Sequence, residues 1–318
     1  MRAVQQNAYG LDAIEIVDHV VPEPGEGRVR VRVEKASMNP ADWHFAIGRP
    51  LFMRLIAGLR RPKHALIGSD FAGVIDALGP EVTGFEIGDK VFGSGIGAFS
   101  EFADAKAERV ARTPASMTAA EAAGLPIAGV TAFQALEDLE VAGKRVVVNG
   151  ASGGVGHYAV QIALAQGAAH VAGVCSTKNL DLVAGLGAEA IDYTTDDFTA
   201  GSYDILLDCV GSRPFGEVKS CLNPGGHWVL IGAGRGGPLL GPVPALIANI
   251  VKSKFSDFKV KNVMAEETSE RLAALAKLVD EGKLRTHIER EYPLAEIRAA
   301  YDHSESKRSR GKVIIAVA

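Results

Sequence analysis

Arg145-Val-Val-Val-Asn149 runs directly into Gly150-Ala-Ser-Gly-Gly-Val-Gly156, and Val155–Gln166 then continues with apolar residues at helical spacing. The first run has the continuous β-branched character of a strand buried on both faces. A glycine turn between such a strand and a helix start suits a phosphate. Gly153 lets the backbone approach a pyrophosphate, and Gly156 permits close packing of helix on strand. The free N–H groups and dipole at the helix start then favour the phosphate charge. Ser152, Gly154 and Val155 belong to the same turn. Ala151 stands where the first glycine of the usual fingerprint falls, which a tight turn accepts if φ is negative. A crossover that needs glycine for packing alone is the plainer reading. Strand, helix and three glycines in register favour a bound dinucleotide instead.

Outward from this turn the pattern repeats. Strands are expected at His170–Cys175, Ile205–Cys209, His227–Ile231 and Val260–Met264, alternating with helices at Asn179–Leu186, Pro214–Leu222 and Val243–Val251. Such alternation predicts a doubly wound parallel sheet covered on both faces. Before it lies a β-rich region rich in Gly and Pro, where Val29, Val31 and Val33 alternate with Arg28, Arg30 and Arg32. Thr118 and Glu121 form a capping-box pattern that opens an Ala-rich helix. A helix over Glu267–Asp280 and a last strand at Gly311–Val317 are expected to return to the first domain. The predicted organisation is therefore a dinucleotide-binding domain over residues 119–264, inserted into a discontinuous catalytic domain of residues 1–118 and 265–318. Pro50–Pro62 reads as a short basic helix or loop.

An NAD-specific enzyme places an acid at the end of the second strand to bind the ribose 2′-hydroxyl. Here that strand ends in Cys175-Ser-Thr-Lys178, and the nearest following acid is Asp181. Ser176 as a hydrogen-bond donor and Lys178 as a cation suit a 2′-phosphate. NADPH is the expected cofactor.

The chain has 318 residues, 47% hydrophobic and 23% charged, enough for two cores. A net charge of −4 argues against nucleic acid or an anionic membrane as the main partner. No export signal or spanning segment is visible, so a cytoplasmic location is expected. Three cysteines without CxxC spacing support neither a disulfide framework nor a Cys-rich zinc site.

With these residues in hand, the sequence resembles the medium-chain dehydrogenase/reductase superfamily, in its zinc-independent, zeta-crystallin-like quinone oxidoreductase branch. The resemblance rests on Asn39-Pro-Ala-Asp42, Gly68-Ser-Asp-Phe-Ala-Gly73, Val82–Val91, Gly129-Val-Thr131, the glycine turn and Gly311-Lys-Val-Ile-Ile. It implies an α/β fold in which a Rossmann sheet is inserted into a GroES-like catalytic domain. It places Asn39, Ser69 and Ile127 at the positions that hold zinc in the alcohol dehydrogenases, and none of these is a usual zinc ligand. No metal is expected. The implied reaction is hydride transfer from NADPH to a small electron-poor acceptor, a quinone or an α,β-unsaturated carbonyl. The alternatives are an enoyl or alkenal reductase on the same fold and a non-catalytic, crystallin-like NADPH-binding protein.

The resemblance further implies that Thr131 and the backbone after Ile231-Gly232 lie near the nicotinamide. Cys209, Val210 and Gly211 flank the adenosine side or the ribose of the cofactor, Tyr193 joins Ser176 and Lys178 around the 2′-phosphate, and Lys312 approaches the cofactor. Asn39 and Ser69 are the expected donors to a developing oxyanion. Asp42 and Asp70 orient neighbours, and His44 is a candidate general acid, against the plainer reading of a half-exposed histidine without a role. A homodimer joined through the strand near Val260–Met264 is the expected assembly.

Overall fold

The computed structural model describes residues 1–232, 236–237, 239–306 and 308–318. The chain divides into two compact units, Met1–Val130 with Glu266–Ala318, and Thr131–Ala265.

The second unit contains strands β1 (Arg145–Asn149), β2 (His170–Cys175), β3 (Glu189–Asp192), β4 (Tyr203–Asp208), β5 (Leu222–Leu230) and β6 (Lys259–Asn262). They form one sheet in the order β3-β2-β1-β4-β5-β6, with every neighbouring pair parallel. This is the doubly wound order, whose direction of winding reverses between β1 and β4. The central strands carry no solvated face, because Val146–Val148 and Leu206–Leu207 are wholly buried. That is why they read as continuous apolar runs. Helix Gly156–Ala165 is buried from Gly156 to Ala163. The edge strand β3 escaped the sequence reading because it is four residues long and polar at both ends. At the other edge, β6 ends at Asn262, short of the expected Met264.

In the first unit, Arg28–Met38, Asp70–Leu78, Lys90–Ser94, Phe102–Lys106, Val110–Arg112, Ile288–Pro293 and Lys312–Ala316 form a second sheet. Its pairs are antiparallel except that between Ile288–Pro293 and Lys312–Ala316. Val29, Val31 and Val33 point into the core. The alternating arginines point outward, where Arg28 pairs with Asp104 and Arg30 with Asp76. The late strand Lys312–Ala316 lies beside Arg28–Met38, Val313 opposite Met38. Helix Ala119–Ala123 opens on the expected Thr118–Glu121 capping box. It packs in this first unit, against Arg28–Met38 and Asp70–Leu78, and Thr286 Oγ1 donates to the Glu121 carbonyl at 2.9 Å. The break between units accordingly falls after Val130 rather than at residue 118.

Pro50–Pro62 comprises a 3₁₀ turn, Leu51–Met53, and one helical turn, Arg54–Ala57. No described helix is long and apolar enough to cross a membrane.

Candidate functional site

In the second unit, Gly150 turns at φ +87°, while Ala151 keeps the ordinary negative range. Both amides donate to the Val174 carbonyl, at 3.1 and 3.0 Å, which anchors the turn to β2. Gly156 is required by space, since a Cβ there would lie 2.1 Å from the Gly150 carbonyl oxygen. Among the described residues the amides of Ser152, Gly154 and Val155 donate to no protein acceptor. Three donors at the start of a ten-residue helix, at the carboxyl end of β1, form a cradle for a diphosphate.

The next loop is tied to this turn. Asn179 is buried, and its amide donates to Ser152 Oγ at 2.9 Å and to Ser176 Oγ at 3.3 Å. Its carbonyl oxygen has no protein partner. Asp192 lies opposite Cys175 in the β2–β3 ladder, and the Tyr193 amide donates to the Cys175 carbonyl at 3.0 Å. Tyr193 and Ser176 are therefore neighbours, with Lys178 two residues on; the tyrosine is 55% exposed and the lysine exposed. No acid stands at Ser176–Lys178 after β2, yet Asp192 brings one from the end of β3. Its carboxylate is held below the usual range, first by the Thr177 side chain and then by the Thr194 amide.

Asp208, wholly buried at the end of β4, organises the turn that follows. One oxygen accepts from Asn149 Nδ2 (2.9 Å), the Val210 amide (3.1 Å) and the Gly211 amide (2.8 Å). The other accepts from Trp228 Nε1 at 3.3 Å. One carboxylate thus ties β1, β4 and β5 at their carboxyl ends and sets Cys209-Val210-Gly211. Its main-chain carbonyl accepts from Ile231 and Gly232. A Cβ on Gly232 would lie 2.3 Å from the Cys209 oxygen. Residues 233–235, where the nicotinamide contact was expected, lie outside the described residues. Thr131 is buried on helix Pro126–Leu136. Burial pushes the Cys175 and Cys221 thiols up to about 11, and the Cys209 thiol higher still, so none is a thiolate at neutral pH.

The first unit carries a separate buried polar cluster. Asn39 caps helix Pro40–Ile47, its backbone N–H donating to Asp42 Oδ2 at 2.8 Å. Asn39 Nδ2 donates to Asp70 Oδ2 at 2.9 Å, an oxygen that also accepts the Ile127 amide at 3.1 Å. Ser69 Oγ donates to Asp42 Oδ1 at 3.2 Å. Lys312 Nζ donates to Asn39 Oδ1 at 2.6 Å. Asn39, Asp42, Asp70 and Lys312 are all essentially inaccessible to water. Burial pushes Asp42 up to about 6, against the pull of its hydrogen bonds to Asn39 and Ser69 and of the Lys312 charge. Asp70 is likewise raised by burial, and the Lys312 ammonium is lowered by burial, while each resists the other's shift.

Asn39, Asp42 and Ser69 are thus brought together with Asp70 and Lys312. The polar hydrogens of Asn39 and Ser69 are turned inward, onto Asp70 and Asp42. His44 stands apart, its Nδ1 donating to the Arg49 carbonyl at 2.9 Å and its ring edge-on to Trp43. Asn39, Ser69 and Ile127, which the resemblance sets at the zinc-ligand positions, offer an amide already bound to an ammonium, a hydroxyl and an aliphatic chain. That donor set does not fit zinc. Among the described residues no three His, Cys, Asp or Glu converge as a metal site.

A phosphate cradle at the switch point of a doubly wound sheet, on a chain whose other unit is a β-rich domain built from both ends, defines a class: the pyridine-nucleotide-dependent oxidoreductases. Residues 25–115 match the alcohol dehydrogenase GroES-like domain, and residues 186–315 match the zinc-binding dehydrogenase family. The chain is 34% identical to the chloroplastic quinone-oxidoreductase QR1 of Triphysaria versicolor, over 99% of this chain and 98% of that one. It is 30% identical to the 2-methylene-furan-3-one reductase of Solanum lycopersicum, over 99% of this chain and 79% of that protein. The structure of the quinone oxidoreductase from Coxiella burnetii superposes with a TM-score of 0.87 at 30% identity, covering 100% of this chain and 99% of that one. The chain belongs to the medium-chain dehydrogenase/reductase superfamily, in its quinone oxidoreductase branch.

Proposed function

We propose that the protein uses NADPH to reduce a quinone or the carbon–carbon double bond of an α,β-unsaturated carbonyl, without zinc. The observation that carries the reading is the Ser152–Val155 amide cradle of the second unit; within the first unit, the vacated metal positions hold Lys312 bonded to Asn39. When bound, the reduced cofactor supplies the hydride. Without a zinc-binding donor set to hold an alkoxide, an acceptor that is already electron-poor is the better fit. The quinone oxidoreductases and the furanone reductase among its relatives support the same acceptor classes. Ser176, Lys178 and Tyr193 at adjacent strand ends favour a 2′-phosphate, and the Asp192 carboxylate is committed to Thr177 and Thr194. The three free cysteines suit a reducing cytoplasm.

The test is titration with NADPH and NADH, followed by cofactor oxidation with 1,4-benzoquinone and with 2-cyclohexenone, with and without chelator. Tighter NADPH binding and chelator-insensitive turnover are expected. Lys178→Glu should weaken NADPH at least about tenfold, the worth of a charge-assisted hydrogen bond, and leave NADH nearly unchanged. Equal affinity for both cofactors would sink the 2′-phosphate assignment, and binding without turnover of any acceptor would sink the catalytic one.

We also propose a homodimer. Strand β6 is paired on one side only among the described residues, and the neighbouring helix Val243–Ser253 exposes Ile247 and Val251, followed by exposed Phe255. Light scattering should return twice the 33.4 kDa chain mass; the monomer mass would remove the proposal.

A further inference from the structure

The stretch between Asp42 and Asp70 contains no Asp or Glu, yet carries Arg49, Arg54, Arg60, Arg61 and Lys63. Three of its apolar side chains do not turn inward: Leu55 is 71% exposed, Ile56 63% and Leu59 68%. Among the described residues none of Arg49, Arg60, Arg61 and Lys63 forms an ion pair, and all four are exposed. The segment is nonetheless firmly built. Tyr9 donates its hydroxyl to the Gly58 carbonyl at 2.5 Å, and the Arg54 guanidinium lies 4.3 Å over the Tyr9 ring. The Gly58 amide donates to Arg54 and the Lys63 amide to Ala57. Gly58 holds φ +123°, and a Cβ there would meet the Arg61 oxygen at 2.1 Å. The turn is closed so tightly that only glycine fits, and Leu55, Ile56 and Leu59 are left facing water.

We propose that residues 49–63 are a docking surface for an anionic lipid bilayer. Aliphatic side chains on one short turn, ringed by cations, match the two terms of interfacial binding: shallow burial of apolar tips and attraction to anionic headgroups. A protein partner is the weaker fit, because a stable interface takes about 800 Å² per side and a core from which charges are depleted. The chain-wide charge of −4 does not oppose this. Exposed charges more than a Debye length away, about 8 Å at physiological salt, are largely screened, so the local basic block governs. The contact is peripheral, and it does not depend on the identity of the acceptor.

Co-sedimentation of the full chain with large vesicles tests the proposal. Pure phosphatidylcholine should leave the protein in solution, while a phosphatidylcholine–phosphatidylglycerol mixture should carry it down, with release at high salt. Each basic side chain at such a surface raises partitioning about fivefold, so Arg60→Glu with Arg61→Glu should lower it at least about tenfold. Ile56→Ser with Leu59→Ser should lower it severalfold. Both variants should keep the parental thermal midpoint, which separates lost docking from lost fold without calling on any enzymatic assay. No sedimentation with anionic vesicles overturns the proposal and leaves an acidic protein face as the partner the charge would fit. Undiminished sedimentation of the arginine variant overturns it as well.

Discussion

Lys312→Met will destabilise the protein by about 3–5 kcal/mol at pH 8, the cost of leaving buried charge unpaired, and by clearly less at pH 5. Among the described residues the ammonium is the one cation bonded into the Asn39–Asp42–Asp70 cluster, and both carboxylates are buried with it. Burial already lifts Asp42 to about 6 and raises Asp70, while Lys312 pulls both back. Removing Lys312 lets both rise further. A carboxyl whose folded value lies above its unfolded one stabilises the fold while protonated. That contribution is complete below the unfolded value near 4 and is lost as pH climbs through the folded value. In the variant the loss extends upward past pH 6, so its deficit grows with pH. At pH 5 the carboxyls take up protons instead, and the cavity alone remains costly. Thermal unfolding at the two pH values reads the difference. Equal deficits would mean that Lys312 acts by packing and not by charge. Asp70→Asn in the Lys312→Met background should recover part of the loss at pH 8, because it removes one orphaned carboxylate.

Gly156→Ala should weaken dinucleotide binding by at least about tenfold. The new methyl would lie 2.1 Å from the Gly150 oxygen and 2.8 Å from Ala151 Cα, backbone atoms that cannot swing aside. Relief must come from parting the helix from the turn, an overpacking strain of about 1–3 kcal/mol that also spreads the three cradle amides. Gly216→Ala is the matched control. It is exposed on helix Phe215–Cys221, and an added Cβ meets nothing within 4 Å. Fluorescence titration with NADPH should separate the two variants, and unchanged affinity in Gly156→Ala would show that the cradle does not hold the phosphates.

The nucleotide-binding unit was legible because its signals are local. A buried parallel strand is a run of β-branched residues, and a glycine between strand and helix marks the turn, so β1, β2 and the first helix fell within a residue of their observed ends. What was not legible depends on contacts distant in sequence. Asp208 reads as a polar end to an apolar strand, and nothing beside it announces that Asn149, Trp228 and two amides converge on its carboxylate. Asp192 reaches Thr177 only because β3 pairs with β2. Asn179 looked like the first residue of a helix, and it also joins Ser152 to Ser176. Lys312 reads in the sequence as a lysine within the last strand, and its burial follows from the pairing of that strand in the sheet. The hydrogen bonds of Asn39 show what residue type alone does not carry: a side chain able to donate to substrate has its donors on Asp70 and Ser37.

The interrupted first unit also sets a timetable. Asn39 and Lys312 are 273 positions apart, so at about 5–20 residues per second a ribosome makes them roughly 14–55 s apart. During that interval Asp42 and Asp70 have been synthesised but their cation has not, and residues 28–38 lack the strand that will lie along them. Residues 131–265 are meanwhile complete and carry the six strands seen among their described residues. The newborn chain therefore owns a dinucleotide fold before it owns a finished catalytic domain, and a translation product that stops short of Lys312 inherits the first without the second.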